Sequence, residues 1–140
     1  MRMKKYTRVM VGLTLAVALV GCKASKQAGS AVVKVTDIDV GRSVAADKTI
    51  ADKTDSFRPT DTFYVSVKTE GSAPSATLIA RWTYEDGQVV DESRQEIVAS
   101  GGPAVTEFHL SKPDGWPPGD YKVEVLLNGT SAGTEDFKVS

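Results

Sequence analysis

The chain is poor in the side chains that most often carry chemistry. Among 140 residues there is one histidine, His109, and one cysteine, Cys22. That inventory excludes a zinc site built from several His or Cys ligands. It also excludes an internal disulfide. No apolar run approaches the roughly 20 residues of a membrane-spanning helix; the longest, Val9 to Val20, has twelve and is interrupted by Gly12 and Thr14. After it, no stretch sustains the i, i+3, i+4 apolar spacing of a packed helix. No glycine-rich phosphate loop precedes a helical pattern. Neither charge sign dominates, with 17 Lys and Arg against 18 Asp and Glu. Nucleic-acid binding needs clustered cations, so none is expected.

What is present begins with an address. Arg2, Lys4, Lys5 and Arg8 form a basic start, and the twelve-residue apolar run follows. This is the layout of an export signal, with the basic end held in the cytoplasm. The run ends at Leu19-Val20-Gly21-Cys22, which resembles the lipobox of bacterial lipoproteins. The resemblance implies cleavage between Gly21 and Cys22. It also implies diacylglycerol on the Cys22 sulfur and acylation of the new amine. More than one acyl chain gives stable anchoring, where a single chain is marginal. Loss of residues 1–21 removes four cations and no acid, so the formal charge falls by four, from −1 to −5. Such a domain has no charge-driven grip on anionic lipid, and its membrane partner is reached through the lipid. Lys23 stands where an Asp, in the enterobacterial sorting rule, favours inner-membrane retention. The expected location is therefore the cell envelope, on the periplasmic face of the outer membrane if the organism is Gram-negative.

Residues 22–31 hold the lipidated Cys and a small, polar, aperiodic stretch that reads as a flexible tether. Residues 32–140 read as one all-β domain. Val33, Val35, Ile38 and Val40 mark a first strand with a kink at Thr36-Asp37. Phe63, Val65 and Val67 alternate with Tyr64, Ser66 and Lys68. Leu78, Ala80, Trp82 and Tyr84 alternate with Ile79, Arg81 and Thr83. Glu85-Asp86-Gly87 then turns the chain, and Gln88 to Ile97 returns. Thr106, Phe108 and Leu110 mark another strand; Tyr121, Val123, Val125 and Leu127 mark the next. Asn128-Gly129 is a tight hairpin turn, and Phe137 and Val139 lie on the last strand. Period-two alternation bounded by such turns is the strand and hairpin signature.

About seven strands in roughly 110 residues is the count of an immunoglobulin-like antiparallel β-sandwich. Trp82 falls on the third strand, where such domains keep a core tryptophan. Tyr121 follows Pro117-Pro118-Gly119-Asp120 and precedes Val123, the layout of a tyrosine corner with Val123 in the place of the second cysteine. The stretches 57–64, 80–87 and 115–121 resemble recurring features of small exported bacterial domains with this fold. That resemblance covers residues 35–140 and implies a fold but no activity.

Two regions of the sequence stand out as candidate sites. Residues 41–61 contain Ala46-Asp47-Lys48-Thr49 and Ala51-Asp52-Lys53-Thr54. They read either as a polar crossing with a short edge strand near Thr49-Ile50-Ala51 or as a binding loop. Asp47, Asp52, Asp55 and Asp61 lack the calcium-loop spacing, and no metal or other cofactor is expected. Trp116 lies in a loop stiffened by Pro113, Pro117 and Pro118. It is either a rigid grip for a sugar or protein, with Tyr84 and Arg81 nearby, or a plug over the end of the sandwich. His109 sits on the outward phase of its strand; Glu107 and Ser111 share that phase, but spacing alone does not make a triad. No enzyme activity is expected. The leading reading is a lipid-anchored, non-catalytic interaction domain that binds an envelope protein partner. The alternative is a carbohydrate- or small-ligand-binding sandwich using Trp116 and neighbouring loops.

Overall fold

The computed structural model describes residues 32–140. The lipobox, the cleavage site at Gly21-Cys22 and the tether lie outside them. Eight strands follow one another: β1 (Lys34–Gly41), β2 (Ser56–Phe57), β3 (Phe63–Glu70), β4 (Ser72–Tyr84), β5 (Gln88–Ser100), β6 (Ala104–Leu110), β7 (Gly119–Leu127) and β8 (Thr130–Val139). They form a three-stranded sheet, β1-β3-β6, and a five-stranded sheet, β2-β8-β7-β4-β5. Every pairing is antiparallel except β2 with β8, which is parallel over two residues.

The alternating side chains build the core. Phe63, Val65 and Val67 of β3 face Leu78, Ala80 and Trp82 of β4 and Val123 and Val125 of β7, all 1% exposed or less. Phe63 is the hub: Phe57, Trp82, Trp116, Tyr121 and Phe137 all pack within 6.1 Å of its ring centroid. Aromatic pairs in offset or edge-to-face contact add to the area they bury. A smaller cluster of Val33, Ala76 and Ala99 closes one pole.

Local chemistry explains the irregularities. The extra residue Thr36 makes a bulge in β1, so the inward phase passes from Val35 to Ile38. A bulge also lies in β4, where Pro74 and Ser75 stand opposite Val98 alone and Pro74 cannot donate to a ladder. Asn128 and Gly129 both take positive φ, 51° and 84°, as a two-residue hairpin requires.

The fold is the expected sandwich of about seven strands, with the two-residue Ser56–Phe57, paired to Lys138–Val139, as an eighth. Three other expectations need correction. The short edge strand is this β2, not Thr49-Ile50-Ala51, where only an isolated bridge joins Val44 to Ile50. Ser66, on the outward phase of β3, is 1% exposed; its cross-strand neighbours Asp39 and Glu107 flank it. In addition, β5 runs three residues past Ile97, to Ser100.

Candidate functional site at the pole of the β4–β5 hairpin

The segment between β1 and β3 folds back on itself. Arg42 N donates to Asp52 O, Ala51 N to Ser43 O and Ala45 N to Thr49 O. Its two Ala-Asp-Lys-Thr copies do different work. Asp47 accepts from Thr49 N and Oγ1 at 3.0 and 2.6 Å, which holds its carboxyl below the usual range. Asp52 instead pairs with Arg42 at 3.0 Å. Lys53 reaches Asp39 at 2.6 Å, and that bond raises its ammonium. Among the described residues, no three His, Cys, Asp or Glu side chains group as metal ligands do.

The loop Ser111–Pro118 is tied to the same segment. Gly115 N donates to Lys112 O, closing a turn in which Gly115 takes φ 84°. Trp116 N then donates to Pro59 O at 2.8 Å, and Trp116 Nε1 to Asp61 O at 2.9 Å. Its ring stacks on Phe63 at 4.4 Å and is 4% exposed. Trp116 therefore plugs the pole. The exposed-platform reading is corrected, because the indole edge and one face are both spent inside the fold.

Beside the plug, an open cleft of about 410 Å³ lies between the start of β5 and the Ser111–Pro118 loop. Tyr84, Leu110 and the rim of Trp116 line it, with Val89 and Val90 at the lip and Asp91 and Lys112 on opposite walls. Val89 is 57% and Val90 37% exposed. Val90 is the extra, unpaired residue of a bulge between the pairs Thr83–Val89 and Trp82–Asp91, and both valines stay exposed there. Tyr84 Oη donates to Pro118 O at 2.8 Å, and burial first, then Glu85, raises its phenol.

Arg81 is not part of this cleft. It lies on the outer face of the five-stranded sheet, between Glu92 at 2.9 Å and Glu124 at 3.2 Å. Of the three residues singled out in sequence, the fold brings Tyr84 and Trp116 together and leaves Arg81 apart. The Val89-Val90 lip was missed. Two valines in succession just after a turn, where alternation fails, were its only signal. His109 is exposed on the outer face of the other sheet, its Nδ1 2.7 Å from Glu107 Oε1 and its ring beside Tyr64.

No family model matches the chain, and no curated protein matches its sequence. Solved structures do match its shape. An immunoglobulin-like protein from Pseudomonas aeruginosa superposes with a TM-score of 0.52 at 16% identity, over 80% of this chain and 99% of that one. The domain is an immunoglobulin-like sandwich. A β-glucosidase from Listeria innocua, in complex with isofagomine, reaches a TM-score of 0.51 at 9% identity. There the match covers 79% of this chain but 16% of the glucosidase. At such identities the likeness is one of fold alone.

Proposed function

We propose that this chain is a lipid-anchored envelope protein whose immunoglobulin-like domain binds a protein partner and performs no catalysis. The observation that carries the proposal is the separation of two surfaces. The chain enters the sandwich at Val32 and Val33, against Gly71, Ala76 and Ala99. The cleft opens beside Tyr84, eight residues further along β4 than Ala76 and so roughly 26 Å away at strand rise. An anchor at the end where residue 32 enters therefore leaves the cleft and its valine lip, at the other end of β4, free.

A protein partner suits this cleft better than a glycan. Sugar platforms use an open aromatic face, and the indole here is covered. An exposed apolar lip flanked by one acid and one lysine suits a side chain of a protein, with polar groups at the rim. His109 Nδ1 lies 2.7 Å from Glu107 Oε1 and its ring beside Tyr64, and no hydrogen bond among the described residues joins it to Ser111.

Two measurements test the reading. A photo-crosslinking residue at Val90 in living cells is expected to capture a defined envelope protein, and the change Val89→Glu to abolish that capture. Selective binding of the purified protein to an oligosaccharide, blocked by the same change, would overturn it in favour of the carbohydrate alternative. For the anchor, Cys22→Ser is expected to leave an uncut chain without fatty-acid mass. Palmitate label entering that variant as in the parent would refute the lipid assignment.

A further inference from the structure

The sandwich has four sheet edges; two are protected, and a third, β6, is engaged at one carbonyl. β1 is broken by its bulge at Thr36 and bridged at Gly41 to Lys53. β8 is capped by β2, interrupted by a bulge at Ala132, and covered at Gly133 by Ile38. β6 gives its Glu107 carbonyl to Gln95 Nε2 at 2.7 Å. On β5, by contrast, the run Glu92–Val98 carries no proline, lysine or bulge on its outer side, and Val98 is 73% exposed. Such an edge is a template for another strand.

The direction of its peptide groups follows from one turn. Thr77 O accepts from Asn128 N at 2.8 Å, and Thr77 N donates to Asn128 Oδ1 at 2.9 Å. Both polar groups of Thr77 thus point toward β7. Its partner on the other side is Glu96, so that pair is a non-hydrogen-bonded one and the Glu96 peptide groups face the open edge. By alternation, Glu92, Arg94 and Val98 do the same. The Glu92, Arg94 and Glu96 side chains lie on the outer face, with Arg81, Thr77 and one another.

We propose that this edge pairs with β5 of a second copy of the chain, antiparallel, about a two-fold axis at Gln95. The charges select that register. Centred on Gln95, Arg94 lies opposite Glu96 of the partner subunit and Glu96 opposite Arg94 of the partner subunit. With the Arg94–Glu96 pair already present at 2.8 Å within each copy, the four charges form an alternating square. Centring on Arg94 instead sets Arg94 against itself and Glu92 against Glu96. Centring on Glu96 sets that acid against itself, and centring on Ser93 runs into the Val90 bulge. Opposite charges directly across a ladder stabilise it and like charges destabilise it. The Gln95 register uses all four open residues and joins two five-stranded sheets into one of ten. It leaves Val89 and Val90 beyond the paired run Glu92–Val98, with Val90 opposite Ser100 of the partner subunit at the end of β5.

The test uses the full chain in membranes and in detergent. Gln95→Cys is expected to give a disulfide-linked dimer under mild oxidation, because a non-hydrogen-bonded pair holds its Cα atoms about 4.5 Å apart, within disulfide reach. Ser93→Cys is expected to give no more than the parent, since the two copies of that position lie about 13 Å apart at strand rise. In native mass spectrometry, Arg94→Glu and Glu96→Arg alone are each expected to lower the dimer fraction at least several-fold, and the double swap to restore it. A parent that stays monomeric, equal crosslinking at positions 93 and 95, or failure of the swap to restore pairing would overturn the proposal.

Discussion

Tyr121 Oη donates to the carbonyl of Pro117, four residues upstream, at 2.7 Å. This bond closes the corner that leads from the Trp116 loop into β7. It also places the Tyr121 ring, 4% exposed, flat on Phe137 and edge-on to Phe63. One side chain thus fixes a loop, a strand start and the aromatic core together.

Removing that hydroxyl is the direct probe of the corner. Tyr121→Phe is expected to cost about 1–2 kcal/mol, a hydrogen bond plus a carbonyl left short of its donor. Burial, with Tyr84 and Glu85 nearby, pushes the Tyr121 phenol up to about 12 from its ordinary 10.0. For an acid raised in this way, the stability is complete below pH 10 and drains away as pH rises toward 12. Urea unfolding at pH 9 and at pH 11.5 should show the parent losing more than the variant between the two.

Trp82 offers a different contrast. Its ring is 1% exposed, yet Nε1 finds no hydrogen-bond partner. Trp82→Ala is expected to cost about 3–5 kcal/mol, a large share of a typical domain's roughly 5–15. Trp82→Phe keeps much of the volume and discards a stranded N–H, so it should cost less than half as much. Equal losses for the two in denaturant melts would contradict this packing account.

Glu135 lies on the inward phase of β8, opposite Val123. Burial, then Asp39 and Asp37, raise its carboxyl above the ordinary 4.5, and Lys53 offsets them in part. The folded state therefore holds this proton more tightly than the unfolded one. Its contribution is present below pH 4.5 and lost as pH rises through the raised value, so the ionised form is a burden at pH 7. Glu135→Gln should raise Tm at pH 7, and the gain should shrink as pH falls toward 4.5.

Gly119 opens β7 with φ 146°, and a Cβ there would collide with Glu85 Oε1 and the Tyr84 ring. Gly119→Ala is expected to destabilise the domain by more than about 1 kcal/mol. It should also weaken partner capture from Val90, because Tyr84 lines that cleft. His109→Ala, exposed on the outer face of the other sheet, is the control that should leave capture unchanged.

Much of this domain could be read from its order of residues. Alternation placed the strands because a pleated chain turns successive side chains to opposite faces. Asn128-Gly129 announced its hairpin because both positions need positive φ, and the Thr36 bulge showed as a change of parity between Val35 and Ile38. The spacing from Pro117 to Tyr121 announced the corner, since that bond spans four residues. These features are local, and local sterics and burial decide them.

The rest was settled by segments distant in the chain. Trp116 became a plug because Asp61, 55 residues earlier, supplies the carbonyl for its indole and Phe63 supplies the stacking surface. Arg81 and Tyr84, three residues apart, were sent to different faces by the pleat and then given unrelated neighbours. β5 became an open edge because β4 alone pairs with it, whereas β8 is flanked by β2 and β1 is bridged to Lys53. Which strand borders solvent depends on the order of strands in the sheets, and no short stretch of sequence encodes that order.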